Sequence, residues 1–154
     1  MPHIHDKIDF TVEAFIVRNN KVLLRLHDKH KIWLSVGGHI ELDEDPVQAV
    51  IREVREEVGL DIKLLGTTQP FVDGSQDLIP PKFLNRHHVS DSHEHVTLVY
   101  FAQSGTDILD AITGREQSDG LKWFTAEELD DPQYGLKDNV RFYAGEALKT
   151  TIIT

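Results

Sequence analysis

The sequence predicts an α/β fold, a mixed sheet held between helices, and three observations point there. Runs of β-forming residues at Phe10 to Arg18 and His93 to Gln103 lie on either side of an amphipathic helix that starts at about Pro46. A second helical stretch, Asp138 to Thr150, closes the chain. Strands before and after a helix in a chain this short bury their apolar faces by layering sheet against helix. With 154 residues, one domain spanning 1–154 is expected.

Taken in order, Met1 to Asp9 shows no period and reads as a disordered start or an added edge strand. His3 and His5 there could bind a stray transition metal, but an ordinary polar terminus is the expectation. Phe10 to Arg18 and Lys21 to His27 flank Asn19-Asn20, a pair that tolerates positive φ, so a β-hairpin is expected. His27 to Lys31 is a charged loop, and Ile32 to Val36 a short strand leading into Gly37-Gly38.

The helix has a start signal of three parts: Asp45 as cap, Pro46 at the first position and Gln48 as capping-box partner. Val47, Val50, Ile51, Val54 and Val58 form its apolar stripe, and Gly59 can turn left-handed to end it. Ala49, Arg52, Glu53 and Glu56 are expected on the far side, with Glu57 at the margin.

Beyond it, Asp61 to Leu65 reads as a strand, and Gly66 to Ser92 as a long loop with Pro70, Asp73-Gly74 and Pro80-Pro81. Loops of that length often carry binding function, which makes 66–92 the expected substrate-selecting loop. Phe71, Phe83, Arg86, His87 and His88 are its side chains able to stack on a base or touch a phosphate.

His93 to Gln103 alternates and then turns continuously apolar, as a central strand does. Its His93 and His95 share one face. A metal pair is conceivable there; the expectation is polar residues at a strand entrance, with His95 a substrate contact. Ser104 to Gly120 is polar and turn-rich, Leu121 to Phe124 is a short strand, and Thr125 to Glu128 is a capping box for a helix that Pro132 closes. In the last helix, Val140, Phe142, Tyr143, Ala147 and Leu148 are the expected packing residues.

Composition narrows the function classes. The chain has 26 acidic and 16 basic residues, a net charge of −10. That disfavours nucleic acid polymers and anionic membranes as partners, and repels a phosphorylated substrate unless metal ions screen it. With no cysteine, neither disulfides nor a zinc-thiolate site can form. No signal-peptide pattern or membrane-length apolar run is present, so a cytoplasmic location is expected.

The stretch from Gly38 to Leu60, GHIELDEDPVQAVIREVREEVGL, concentrates the chemistry. Glu53 sits three and four residues from Glu56 and Glu57, so like charges face one another and need an offsetting partner. Glu41 and Glu44 add carboxylates from the approach to the helix, and a group of hard oxygen donors suits Mg²⁺ or Mn²⁺. Arg52, one turn before Glu56, can hold a carboxylate in one rotamer.

These residues also carry a resemblance. Gly38, five residues, Glu44, seven residues, then Arg52-Glu53-Val54 and Glu56-Glu57 with Gly59-Leu60 match every position of the Nudix box, and the chain resembles a Nudix hydrolase. The resemblance implies an α/β/α sandwich with the box as loop-helix-loop. It implies hydrolysis of a nucleoside diphosphate linked to another moiety, with water attacking phosphorus.

On that reading Glu56 and Glu57 are the principal metal ligands, Glu53 is a third ligand or a base acting through water, and the Gly38 carbonyl completes the shell. Arg52 and Glu44 support them. Glu116, in the loop before Leu121, corresponds to a loop carboxylate that can take part in proton transfer. The substrate is a small nucleotide, and a homodimer is conceivable.

Two rivals share the fold. An isopentenyl-diphosphate type isomerase needs a catalytic Cys, absent here, and a non-catalytic ADP-ribose sensor would show degenerate box carboxylates. Ser75 and Asp77 stand near the positions where subfamilies specific for ADP-ribose or diadenosine polyphosphates carry Pro or Tyr, so neither label follows.

Overall fold

The computed structural model of the chain describes residues 6–27, 29–107, 109 and 120–152. Glu116, His3, His5 and most of the 104–120 stretch lie outside the described residues. Among the described residues eight strands form one mixed sheet: β1 (Ile8–Arg18), β2 (Lys21–His27), β3 (Ile32–Leu34), β4 (Val36–His39), β5 (Ile62–Leu64), β6 (Phe83–Ser90), β7 (His93–Ser104) and β8 (Leu121–Phe124). Its helices are α1 (Pro46–Val58), α2 (Ala126–Leu129) and α3 (Asp138–Ile152). The expected α/β architecture is the one observed.

β1 and β7 form the spine of the sheet. They run parallel from Ile8 opposite Glu94 to Val17 opposite Gln103, and the other pairings are antiparallel. A parallel pair needs a long connection, which α1 and the segments around it supply. The β1–β2 turn has φ of 50° at Asn19 and 60° at Asn20, the left-handed values that Asn accepts more readily than most residues.

Alternation along β1 separates two cores. Val12, Ala14 and Ile16 face α1, where Val50, Val54 and Val58 are fully buried, while Phe15 and Val17 face α3 through Tyr143, Ala144, Ala147 and Leu148. Each buried valine stabilises the α1 layer by about 1.5–3 kcal/mol.

α1 starts as its sequence signal predicts. The Asp45 side chain accepts from the Gln48 backbone N–H, Gln48 reciprocates, and Gly59 ends the helix at φ 69°. Two of its residues differ from expectation. Ala49 is buried in the core beside Val50 rather than on the far side, and Glu57 is buried rather than marginal. The helix fits its apolar face into the concave sheet over a wider arc than five aliphatic residues describe, and that arc takes in one small side chain and one carboxylate.

Other boundaries shift for similar reasons. The expected strand at Ile32 to Val36 is two strands, and Gly37 and Gly38 lie within β4, paired with Glu13 and Val12 of β1. The expected loop 66–92 is a loop only to about Lys82, because β6 pairs with β7 from Phe83 to Ser90. Past Phe83 and Asn85 its side chains are exposed, so burial imposes no alternation on them and an edge strand of histidines and polar residues looks like a loop. Phe142 is 52% exposed, since residues 140, 143, 144, 147 and 148 already complete the buried stripe of α3. Among the described residues no helix is long and apolar enough to cross a membrane.

Candidate active site

The box carboxylates converge on one guanidinium. Arg52 Nε donates to Glu44 Oε2 at 2.9 Å and Nη2 to Glu44 Oε1 at 2.6 Å, a bidentate pair. Nη1 donates to Glu53 Oε1 at 2.9 Å and Glu56 Oε2 at 3.2 Å, and Nη2 also reaches the His39 carbonyl at 3.1 Å. The repulsion among Glu44, Glu53 and Glu56 is therefore offset by a central cation that fixes their rotamers. Its hydrogen bonds are the main reason the Glu44 carboxyl is held below its ordinary range, and Arg52 in turn stays firmly protonated.

Glu57 is turned the other way. Its Oε2 forms an ion pair with Arg25 Nε at 3.3 Å, so a carboxylate at 8% exposure meets a cation from β2. The glycines of β4 bring these groups close to the sheet. A Cβ on Gly38 would run into the Glu53 carboxylate, and one on Gly37 would lie 2.8 Å from Glu13 Cα. Neither position has room for a side chain.

On the α3 side of the sheet, Gly37 and Gly38 floor a cleft of about 480 Å³. Arg25, Ser35, His39 and Asn139 are among its walls, and so are Glu13 and three of the histidines expected to meet substrate, His87, His88 and His95. Register explains the grouping. His87 pairs with His95 across β6 and β7, and Thr11 pairs with both Thr97 and His39, so one sheet face carries these five, while His88, next along β6, turns to the other face beside Glu94. Burial first, and the positive charge of Lys137 second, hold His87 below its usual pKa, which favours a neutral ring near pH 7.

The remaining expected substrate residues lie outside that lining. Phe83 packs against Tyr143 and Phe142 with ring centroids 5.2 and 5.5 Å away. Arg86 is taken up by a bidentate pair with Glu94 at 2.7 and 3.0 Å. Phe71 is 55% exposed on the 66–82 loop, which is tied to itself by the Asp77 carboxylate accepting from the Gln69 N–H at 2.7 Å.

Sequence reasoning missed Glu13. It stands in an otherwise apolar run, FTVEAFIV, and that lone charge was the available signal. Burial pushes its carboxyl from 4.5 to about 7, against the opposing effect of a hydrogen bond donated by Ser35 Oγ at 2.5 Å. A carboxyl that titrates near neutrality in a cleft wall can donate or accept a proton there.

Comparison with known proteins bears on family and fold. A model of the NUDIX domain matches residues 9–145. A CTP pyrophosphohydrolase of Escherichia coli (strain K12) is 34% identical over 101 residues, covering 58% of this chain and 72% of that protein. A probable DHNTP pyrophosphohydrolase of Lactococcus lactis subsp. cremoris is 28% identical over 100 residues, which cover 65% of this chain and 57% of that protein. Among solved structures, a NUDIX-family hydrolase from Clostridium perfringens superposes with a TM-score of 0.81 at 36% identity, over 93% of this chain and 97% of that one.

Proposed function

Because the chain belongs to the Nudix hydrolase family, whose relatives here are named pyrophosphohydrolases, we propose that it hydrolyses the phosphoanhydride chain of a small nucleoside triphosphate, using Mg²⁺ or Mn²⁺. The observation that carries this reading is the Arg52-centred group of glutamates meeting the cleft floor at Gly38. The triphosphate part follows the relatives named for CTP and DHNTP, and the nucleoside part the one named for CTP.

The donors fit a hard divalent ion. Carboxylate oxygens of Glu53 and Glu56 and the Gly38 carbonyl would hold it, joined by Glu57 on leaving its pair with Arg25, and the glycine leaves the backbone close to the Glu53 carboxylate. When bound, the ion supplies positive charge against the crowded phosphate oxygens.

The chain's own groups do the rest. Arg52 and Glu44 keep Glu53 and Glu56 in position before substrate arrives, so little reorganisation accompanies reaction. Arg25, in the cleft wall, orients Glu57 and presents a cation toward an incoming phosphate. Glu53 is the third ligand or takes the proton of the attacking water, with Glu116 the other carboxylate proposed for proton transfer. His87, His88 and His95 border the nucleoside end of the cleft, while Phe71, Phe83 and Arg86 keep at most a contact outside its lining.

The test is turnover of CTP, dihydroneopterin triphosphate, the common nucleoside triphosphates, ADP-ribose and UDP-sugars with Mg²⁺ or Mn²⁺. Release of pyrophosphate or phosphate from a triphosphate, abolished by chelator, is expected. Full activity in excess chelator, or turnover confined to ADP-ribose and UDP-sugars, would overturn the proposal.

A further inference from the structure

Away from the glutamates, β1 and β7 bring a second set of metal-binding side chains together. Asp9 lies opposite His95 in the parallel pair, and His93 is two residues earlier on the same face. One ligand atom from each of Asp9, His93 and His95 lies within 4.8 Å of the other two. Asp9 is 1% and His93 8% exposed, so this is an interior group and not a surface coincidence.

Their hydrogen bonds orient them as ligands. His93 Nδ1 lies 2.9 Å from the Asp6 carbonyl. A carbonyl oxygen can only accept, so Nδ1 carries the hydrogen and a neutral ring presents its lone pair at Nε2. Metal-binding histidines are commonly held this way, the outer N–H given to a backbone carbonyl. The carboxylate is similarly fixed: Asp9 Oδ1 accepts from the Phe10 N–H at 3.0 Å, and Oδ2 lies 3.2 Å from His39 Nε2.

From this geometry we infer that Asp9, His93 and His95 form a second metal site, for a zinc-class transition ion. Two imidazoles and one carboxylate suit Zn²⁺, Co²⁺ or Ni²⁺, whereas Mg²⁺ prefers an all-oxygen octahedral shell. The site is separate from the glutamates, because its residues lie on the α3 face of the sheet, with Thr11, Glu13 and Thr97, while Glu53 and Glu56 stand on α1 over the opposite face. His95 and His39 line the cleft and give an ion a route in. Ligand atoms around a zinc-sized ion stand roughly 3.4 Å apart, so small side-chain rotations draw this trio in.

The test is Co²⁺ titration of chelator-stripped, full-length protein in excess Mg²⁺, which competes for the oxygen donors. One equivalent of Co²⁺ should bind with the intense visible bands of a four-coordinate, nitrogen-containing site, and Zn²⁺ should displace it. Asp9→Asn and His93→Gln should each weaken binding at least about 10-fold. His95→Gln, at a less buried position, should do the same if either of those fails to fold. Glu56→Gln and a His3→Ala/His5→Ala double variant should leave binding unchanged. Absence of Co²⁺ binding in excess Mg²⁺ would overturn the inference, leaving a metal-free carboxylate–imidazole network around His39. Binding that survives His95→Gln in a folded protein, or that is lost on changing Glu56 or His3 and His5, would overturn it equally.

Discussion

The glutamate group on α1 and the cleft beside α3 lie on opposite faces of one sheet and meet at Gly37-Gly38. The first comes from residues 41–57, a single loop and helix; the second draws on β1, β2, β4, β6, β7 and the start of α3. The first is dense in carboxylates held by Arg52, while the second is rich in imidazoles and has one carboxyl titrating near 7. Under the proposed function that difference becomes a division of labour, in which a short local segment handles the phosphate chemistry and a patch assembled across strands handles recognition.

Several changes would break or sharpen that division. The largest effect is expected from Glu56→Gln, which should lower kcat by about 100- to 1,000-fold with an unchanged unfolding midpoint, because this half-exposed carboxylate pairs with Arg52 at the helix surface and supports no core packing. A variant with near-normal kcat would move the chemistry away from α1. Gly38→Ala should follow, with kcat down about 10- to 100-fold, as the methyl group displaces the Glu53 carboxylate. If kcat were untouched and only KM rose, Gly38 would belong to the recognition half instead.

Glu13 makes the cleft's contribution measurable through pH. The folded protein keeps this proton up to about 7, whereas the unfolded chain releases it near 4.5. The group's contribution to stability is therefore full below about pH 4.5 and is lost as pH rises through about 7. Glu13→Gln cannot ionise, so the fall in unfolding free energy between pH 5 and pH 8, measured with urea, should be smaller than in the unaltered protein by on the order of 2–3 kcal/mol. Equal slopes for both proteins would locate the titrating group elsewhere.

The smallest effect is expected at the rim. His87→Ala should raise KM a few-fold, corresponding to about 1 kcal/mol or less, and leave kcat unchanged, which steady-state kinetics on the best triphosphate would show. A fall in kcat of the same size would mean that recognition and chemistry are not divided along the sheet.

Particular residues show where sequence reading succeeded. Asp45, Pro46, Gln48 and Gly59 set the ends of α1 correctly because capping depends on neighbours within four residues. Asn19-Asn20 likewise placed the hairpin turn. β6 was missed because an exposed edge strand has no buried face to impose a pattern, and Phe83 was assigned to substrate because its aromatic partners Tyr143 and Phe142 lie about sixty residues away.

What the sequence determined by itself is the α/β layering, the bounds of α1 and the spacing that lets Arg52 reach Glu44, Glu53 and Glu56, all governed by helix geometry and short-range contacts. Tertiary structure alone decided that Glu57 turns to Arg25, that Glu13 is half-buried beside Ser35, and that Asp9 comes to lie opposite His95. Those relations depend on strand register, and register is set by the packing of the whole sheet.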